Sequence, residues 1–283
     1  MNVNMTPAKQ KFVGYASELY GEGAILSSTQ VKKIEVKRSV EEQFAPVAAD
    51  YAAFNYFANG PDLGPMLEAG QLQGGERVLD IGSGPGHTAL LFATRASEVV
   101  ATDPTEAMLE QGRRLAAERG ITNLSFELTS AESLPFPDAS FDRVTSRQSL
   151  HHYTDVSAAL CEVRRVLKPA GLFILVDTLS PEDDEFDAFL NKIELLRDSS
   201  HVRDYRVSDL CQMFASVGFN LNDLQHWDIS IMFDQWVERS RTPSHEISVL
   251  RDYMGKASDR IRNRFNISSN LDWSLPVGLV IGT

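Results

Sequence analysis

Between two short apolar runs, Arg77-Val78-Leu79-Asp80-Ile81 and Glu98-Val99-Val100-Ala101-Thr102-Asp103, three glycines stand at every second position, in Gly82-Ser83-Gly84-Pro85-Gly86. A strand that ends in bare backbone and re-enters the chain as a helix, expected over 87–96, defines a strand–turn–helix–strand unit. Glycine accepts the positive φ of so tight a turn, and its missing side chain lets a ligand approach the carboxyl end of the strand. Amides opening the following helix favour a carboxylate. The dinucleotide pattern Gly-x-Gly-x-x-Gly fails: counted from Gly82 and Gly84, its third glycine falls at His87. Asp80, just ahead of the turn, suits a positively charged amino group and opposes a pyrophosphate. No Gly-Lys-Ser/Thr follows, so a phosphate-binding P-loop is excluded.

The alternation continues downstream. Pro104 suits a helix start, 105–119 carries the helix, and Gly120 closes it. Strands are expected over 124–128, 141–145 and 172–177, the last apolar on both faces as a central parallel strand is. Asp155 caps a helix through Leu167, stopped by Pro169 and Gly171. Strands alternating with helices imply right-handed crossovers and a parallel sheet covered on both faces. Helices follow over 185–198 and 207–217, a strand within 219–229, helical sequence over 232–264 and a closing strand over 276–282. Toward the start, 31–38 reads as an exposed, charge-laced helix or strand, and 44–57 is rich in aromatics. Asn59-Gly60-Pro61-Asp62 reads as a turn, and 65–69 as a short helix ended by Gly70.

The formal charge of -12 over 283 residues opposes binding along a nucleic-acid backbone, which needs a Lys/Arg footprint. Cys161 and Cys211 give neither a disulfide framework nor metal spacing. Residues 1–11 lack the apolar stretch of a signal peptide, and no run is long enough to span a bilayer. The expectation is a cytoplasmic protein, monomer or homodimer, with neither nucleic acid nor membrane as partner.

Asp103 ends the second strand about twenty residues past the turn, where a carboxylate can accept both hydroxyls of a ribose. Alone it reads equally well as a helix cap; beside the glycine turn it points to a nucleoside-containing ligand. Residues 131–138, Ala-Glu-Ser-Leu-Pro-Phe-Pro-Asp, form a proline-rich loop after the third strand. His151 and His152 follow the fourth strand. They read either as a base or substrate-positioning pair, since imidazole titrates near neutrality, or as packed, locally bonded side chains. No carboxylate or cysteine stands beside them at ligand spacing, so no metal is expected. Asp177, ending the fifth strand, either steers a substrate or caps the next loop.

Taken in order, Val78-Leu79-Asp80-Ile81-Gly82-Ser83-Gly84-Pro85-Gly86, Asp103, the loop 131–138 with Ser140-Phe141-Asp142, and Val166-Leu167-Lys168-Pro169-Ala170-Gly171-Leu172 resemble the class I S-adenosylmethionine-dependent methyltransferases. Within them the chain looks most like the small-molecule branch of ubiquinone/menaquinone-biosynthesis C-methyltransferases. Residues 195–203, Leu-Leu-Arg-Asp-Ser-Ser-His-Val-Arg, further resemble a group of bacterial members. The resemblance implies a Rossmann-like α/β fold with a mostly parallel seven-stranded sheet and helices on both faces. It implies an N-terminal helical extension or lid over 1–43, and a cofactor-binding domain over 44–283 with helical caps around 181–218 and 232–270.

The implied cofactor is S-adenosyl-L-methionine and the partner a small-molecule methyl acceptor, its O, N or C atom left open. Asp80 would hold the methionine amino group through water or backbone. Gly82, Ser83, Gly84 and Gly86 would form the floor beneath it. Asp103 would take the ribose, with Pro104 and Met108 beside the adenine and Ala131 and Glu132 flanking the ring. Ser146 and Arg147 would reach the methionine end by backbone. Tyr51, in a Phe44, Ala48, Tyr51 pattern similar to the family's, would close over the cofactor. Three alternatives stay open: a binder of this cofactor that does not methylate, a nucleic-acid methyltransferase, and a nicotinamide dehydrogenase, which the missing third glycine disfavours. Against the second, Ser146-Arg147-Gln148-Ser149 stands where the amino methylases carry Asn/Asp-Pro-Pro-aromatic.

Overall fold

The structure is a computed structural model that describes residues 38–283. The charge-laced run expected over 31–38 and the extension expected over 1–43 therefore fall mostly outside the described residues. The strands are β1 (Arg77–Ile81), β2 (Glu98–Asp103), β3 (Leu124–Leu128), β4 (Phe141–Arg147), β5 (Leu167–Ser180), β6 (Tyr205–Arg206), β7 (Leu221–Ile231) and β8 (Trp273–Gly282). Their order is β3-β2-β1-β4-β5-β8-β7, with β6 pairing β5 off this path. The first five are parallel, and β8 runs antiparallel to both β5 and β7. The expected seven-stranded sheet thus gains an eighth, two-residue strand, too short to leave a period in the sequence.

Apolar residues on both faces explain the central position of β1: Val78, Leu79 and Ile81 are fully buried. Leu79 lies in register between Val100 of β2 and Val144 of β4. β5 is longer than expected because Lys168-Pro169-Ala170-Gly171, read as a stop, forms a bulge inside it. The β4–β5 register shifts between Phe141 and Arg143, and Ala170 adopts φ 63°. A bulge tolerates the proline that a regular ladder position excludes.

One face of the sheet packs Leu79, Ile81, Val144 and Phe173 against helices Val156–Val166 and Val207–Ser216. Asp155 caps the first of these by accepting from Ala158 N at 2.9 Å. The other face packs Val78, Val99, Ala101 and Ile174 against Ala89 and Phe92 of helix His87–Phe92. A third cluster, around Phe189, Trp236 and Phe265, joins helix Asp184–Arg197 to helices Phe233–Arg239, Ser244–Gly255 and Asp259–Phe265. Each fully buried large apolar side chain contributes about 1.5–3 kcal/mol, which binds these four helices into one block. The helical stretch expected over 232–264 divides where Pro243 and Ser258 cap new helices.

Ser39 and Glu42 form a reciprocal capping box that starts helix Val40–Phe44. Helices Ala48–Ala53 and Asn55–Asn59 follow. Phe44, Val47, Ala48 and Tyr51 pack on Met108, which sets this N-terminal segment over the carboxyl end of β2. No described helix is long and apolar enough to cross a membrane.

Candidate functional site

Because β1, β2 and β4 run parallel, Ile81, Asp103 and Arg147 end on one edge of the sheet, and a cavity of about 1500 Å³ opens there. A single ligand pocket spans roughly 300–1,000 Å³, so this one has room for two small molecules. Its roof comes from the N-terminal helices and from Trp236 and Arg239 of the helical block.

The glycine turn forms one wall. Gly82, Gly84 and Gly86 all take positive φ, at 61°, 53° and 79°, and Gly86 N donates to Ser83 O at 2.9 Å. A Cβ on Gly82 would stand 2.6 Å from the Ser149 side chain, so only glycine fits. A Cβ on Gly84 would meet nothing within 4 Å and would project into free space. Gly84 N donates to Asp103 Oδ2 and Thr105 N to Asp103 Oδ1, each at 2.9 Å. Burial raises the Asp103 carboxyl to about 6, against the opposing pull of these amides. The two amides fix the carboxylate and leave lone pairs for further donors.

Asp80 lies behind the turn, within the sheet. Its Oδ1 accepts from Thr145 Oγ1 at 2.7 Å, while Oδ2 is buried without a partner. Burial pushes this carboxyl up to about 7, against Thr145 and the charge of Arg147. A buried carboxylate with a vacant acceptor atom fits a nearby positive group.

Of the expected cofactor residues, Gly82, Ser83, Gly84, Asp103, Pro104 and Met108 line the cavity. Tyr51, Ala131, Glu132 and Arg147 line it too, as do both candidate catalytic residues, His151 and His152. Three expected residues stand off the wall. Asp80 is enclosed by β2 and β4. Gly86 caps helix His87–Phe92 with its back to Phe126. Ser146 is buried in β4, bonding Ser149 Oγ at 2.9 Å and Tyr153 OH at 3.1 Å. Any part they take in ligand binding is indirect.

Sequence reasoning missed two cavity features. The Arg147 side chain clamps Asp62 with two bonds, Nε to Oδ2 at 2.5 Å and Nη2 to Oδ1 at 3.0 Å. The same guanidinium donates to the carbonyls of Phe57 and Tyr56, tying the N-terminal segment to β4. Gln148 adopts φ 53° on the cavity wall, with no partner for its side-chain amide nitrogen. Such a left-handed non-glycine residue costs about 1–3 kcal/mol and needs a tightly determined setting. Neither feature leaves a local trace in the sequence.

The histidine pair lies at the far end of the cavity. His151 Nδ1 meets Asp177 Oδ1 at 2.5 Å, and Asp177 also accepts from Leu150 N and Thr178 N, each at 2.8 Å. Burial acts to lower the His151 pKa, but the Asp177 carboxylate overrides it and holds the imidazole up at about 9. His152 is pushed down to about 4 by burial and then by the charge on His151; its Nδ1 donates to Ser200 O at 3.2 Å. The run 195–203 wraps this pair. Val202 N and Arg203 N donate to His151 O, and the His201 ring stands 5.6 Å from that of His151. Ligand atoms of His151, Asp177 and Asp204 fall within 4.8 Å of one another. No carboxylate stands at ligand spacing beside the histidines in the sequence; in the fold two come near them, Asp177 from β5 and Asp204 from the loop before β6.

Comparison with known proteins agrees with this geometry. Residues 79–175 match the family described as "Methyltransferase domain". The chain is 41% identical over 230 residues to the protein named Uncharacterized methyltransferase YcgJ of Bacillus subtilis, covering 81% of this chain and 91% of that protein. The YcgJ crystal structure superposes with a TM-score of 0.75 at 40% identity, over 78% of this chain and 96% of that one. The BH2331 protein of Bacillus halodurans gives a TM-score of 0.75 at 32% identity, over 79% and 98%. The ubiquinone/menaquinone biosynthesis C-methyltransferase UbiE of Cellvibrio japonicus is 34% identical over 163 residues, 55% of this chain and 66% of the relative.

Proposed function

This chain belongs to the class I S-adenosylmethionine-dependent methyltransferases and is related to the branch of YcgJ and UbiE, and from that premise we propose that it transfers a methyl group to a free small-molecule acceptor by in-line displacement. The observation that carries the reading is the Asp103 carboxylate, fixed by Gly84 N and Thr105 N beside a wall of bare backbone. The open space over Gly84 suits an amino-acid-bearing sulfonium, and the orphaned Asp80 Oδ2 lies behind that wall rather than on it. When bound, the cofactor supplies an electrophilic methyl on a positively charged sulfur.

In this reading Asp103 takes the ribose hydroxyls, while Pro104, Met108, Ala131 and Glu132 enclose the adenine. Gly82, Ser83 and Gly84 floor the methionine end, with Gly86 setting the turn. Asp80 and Ser146 act from behind, through water or backbone, and Arg147 fixes the roof. Tyr51 closes over the cofactor; it stacks on Phe57 with ring centroids 5.1 Å apart. His151 and His152 position the acceptor at the opposite end. Holding two reactants in line, with water excluded by the N-terminal helices and the block around Trp236, supplies much of the rate on its own. The net charge of -12 favours a free small molecule over nucleic acid.

The test is incubation of the protein with methyl-labelled S-adenosylmethionine and a metabolite extract. The reading predicts S-adenosylhomocysteine and one labelled product of low mass. Label that stays in the cofactor across extracts, or that enters only nucleic acid or protein, contradicts it.

A further inference from the structure

We propose that His151, Asp177 and Asp204 form a divalent-cation site at the acceptor end of the cavity. Their ligand atoms lie within 4.8 Å of one another and all three side chains are buried. Ligands on opposite sides of a first-row cation, each bound at about 2.1 Å, stand about 4.2 Å apart. The cluster therefore reaches coordination distances with shifts below one ångström. His151 Nδ1 and Asp177 Oδ1 face one another at 2.5 Å, so a cation takes both as neighbouring ligands in place of the proton they share.

The local charge points the same way. Four carboxylates are buried around this end: Asp177 (2% exposed), Glu194 (4%), Asp198 (0%) and Asp204 (1%). The guanidinium of Arg197 is taken by Glu194 at 3.0 Å and Asp198 at 3.8 Å, and Arg239 stands beside Glu194. Asp177 is occupied by His151. The Asp204 carboxyl is less well satisfied: its Oδ2 makes no hydrogen bond, and His201 Nε2, in a ring that burial keeps neutral, stands 3.9 Å away. His201 Nδ1 is likewise buried without a partner. A buried carboxyl oxygen without a hydrogen bond carries a desolvation cost; a cation between Asp204 and His151 gives that oxygen a partner.

One imidazole and two carboxylates, with no thiolate, favour Mn²⁺, Fe²⁺ or Zn²⁺ over softer ions. His151 and Asp204 both line the cavity, so the remaining coordination positions face the acceptor. Resting on the methyl-transfer reading, this assigns an acceptor that offers an oxygen donor, such as a phenol, enol or hydroxy acid.

The test uses the full chain, stripped with a chelator and titrated with Mn²⁺ alone, without cofactor or acceptor. Calorimetry and loss of the free-ion electron paramagnetic signal are expected to show one equivalent bound. Asp204→Asn should weaken that binding at least about tenfold, the lower limit for disturbing even an outer partner of a metal. Spin-echo spectra of the wild-type complex should show coupling to a directly bound imidazole nitrogen. Undiminished free Mn²⁺ signal, equal affinity in Asp204→Asn, or bound Mn²⁺ without nitrogen coupling overturns the proposal. If Asp204→Asn does not fold, the nitrogen coupling decides. Because no methyl donor is present, failure here and failure of methyl transfer are read separately.

Discussion

Arg147 and Asp62 form a bidentate ion pair across 85 positions of chain, with side chains only 5% and 0% exposed. The pair fastens the N-terminal segment to the end of β4 and so roofs the cavity. Asp62→Ala leaves a buried guanidinium without its counter-charge, and stability should fall by about 3–5 kcal/mol in denaturant unfolding. Asp62→Asn keeps the shape but not the charge and should recover only part of the loss. A fall below about 1 kcal/mol, the scale of a surface pair, contradicts the assignment.

Gly82 and Gly84 should separate folding from binding. Alanine at Gly82 takes positive φ and runs into the Ser149 side chain at 2.6 Å, so Gly82→Ala should lose about 2–4 kcal/mol of stability. Alanine at Gly84 bears only the backbone strain, about 1 kcal/mol. Its methyl, however, enters the open space over the turn, where the proposed reading puts the methionine end, and affinity for S-adenosylhomocysteine should drop about 10- to 100-fold. Equal effects of both substitutions on stability and affinity would refute the distinction.

Acid should weaken cofactor binding with a defined sign. Burial raises the Asp103 carboxyl from 3.8 to about 6, and ribose hydroxyls need its ionised form as acceptor. As pH falls through about 6 the free protein takes up a proton that binding must expel. Affinity should therefore be flat in weak alkali, begin to fall through about 7 as Asp80 takes up a proton, and fall more steeply below 6, by up to about tenfold per pH unit for each carboxyl. Asp103→Asn should lose this step and keep only the decline that Asp80, raised to about 7, contributes nearer neutrality. A calorimetric series from pH 5 to 8 in which the wild type shows no fall would contradict this account.

What could be read from the chain was what is local along it. The glycine turn and Asp103 lie within one strand–turn–helix–strand unit, so their chemistry shows in sequence order. The parallel strands announced themselves through apolar runs such as Val78-Leu79 and Phe173-Ile174-Leu175. The Arg147 clamp did not, because Asp62 reads as the last residue of an Asn-Gly-Pro-Asp turn and its partner lies on another element. The surroundings of His151 were hidden for the same reason. Asp177 arrives from β5 and Asp204 from the loop before β6, and only the crossovers bring them together. The bulge at Pro169-Ala170-Gly171 imitates a turn, since proline and glycine punctuate both. The run 195–203 was visible as a motif, but nothing in it reveals that it wraps the histidine pair.

The central claim is that the wall between Gly82 and Asp103 holds an adenosyl sulfonium, and the affinity of the purified protein for S-adenosylmethionine and S-adenosylhomocysteine, with and without Asp103, tests it most directly. Two charge-assisted hydrogen bonds of about 1.5 kcal/mol each correspond to roughly 100-fold in affinity. Calorimetry should show both compounds binding the wild type, and Asp103→Ala weakening each by that order while the protein stays folded. Absence of binding to the wild type, or unchanged affinity in Asp103→Ala, would contradict the account.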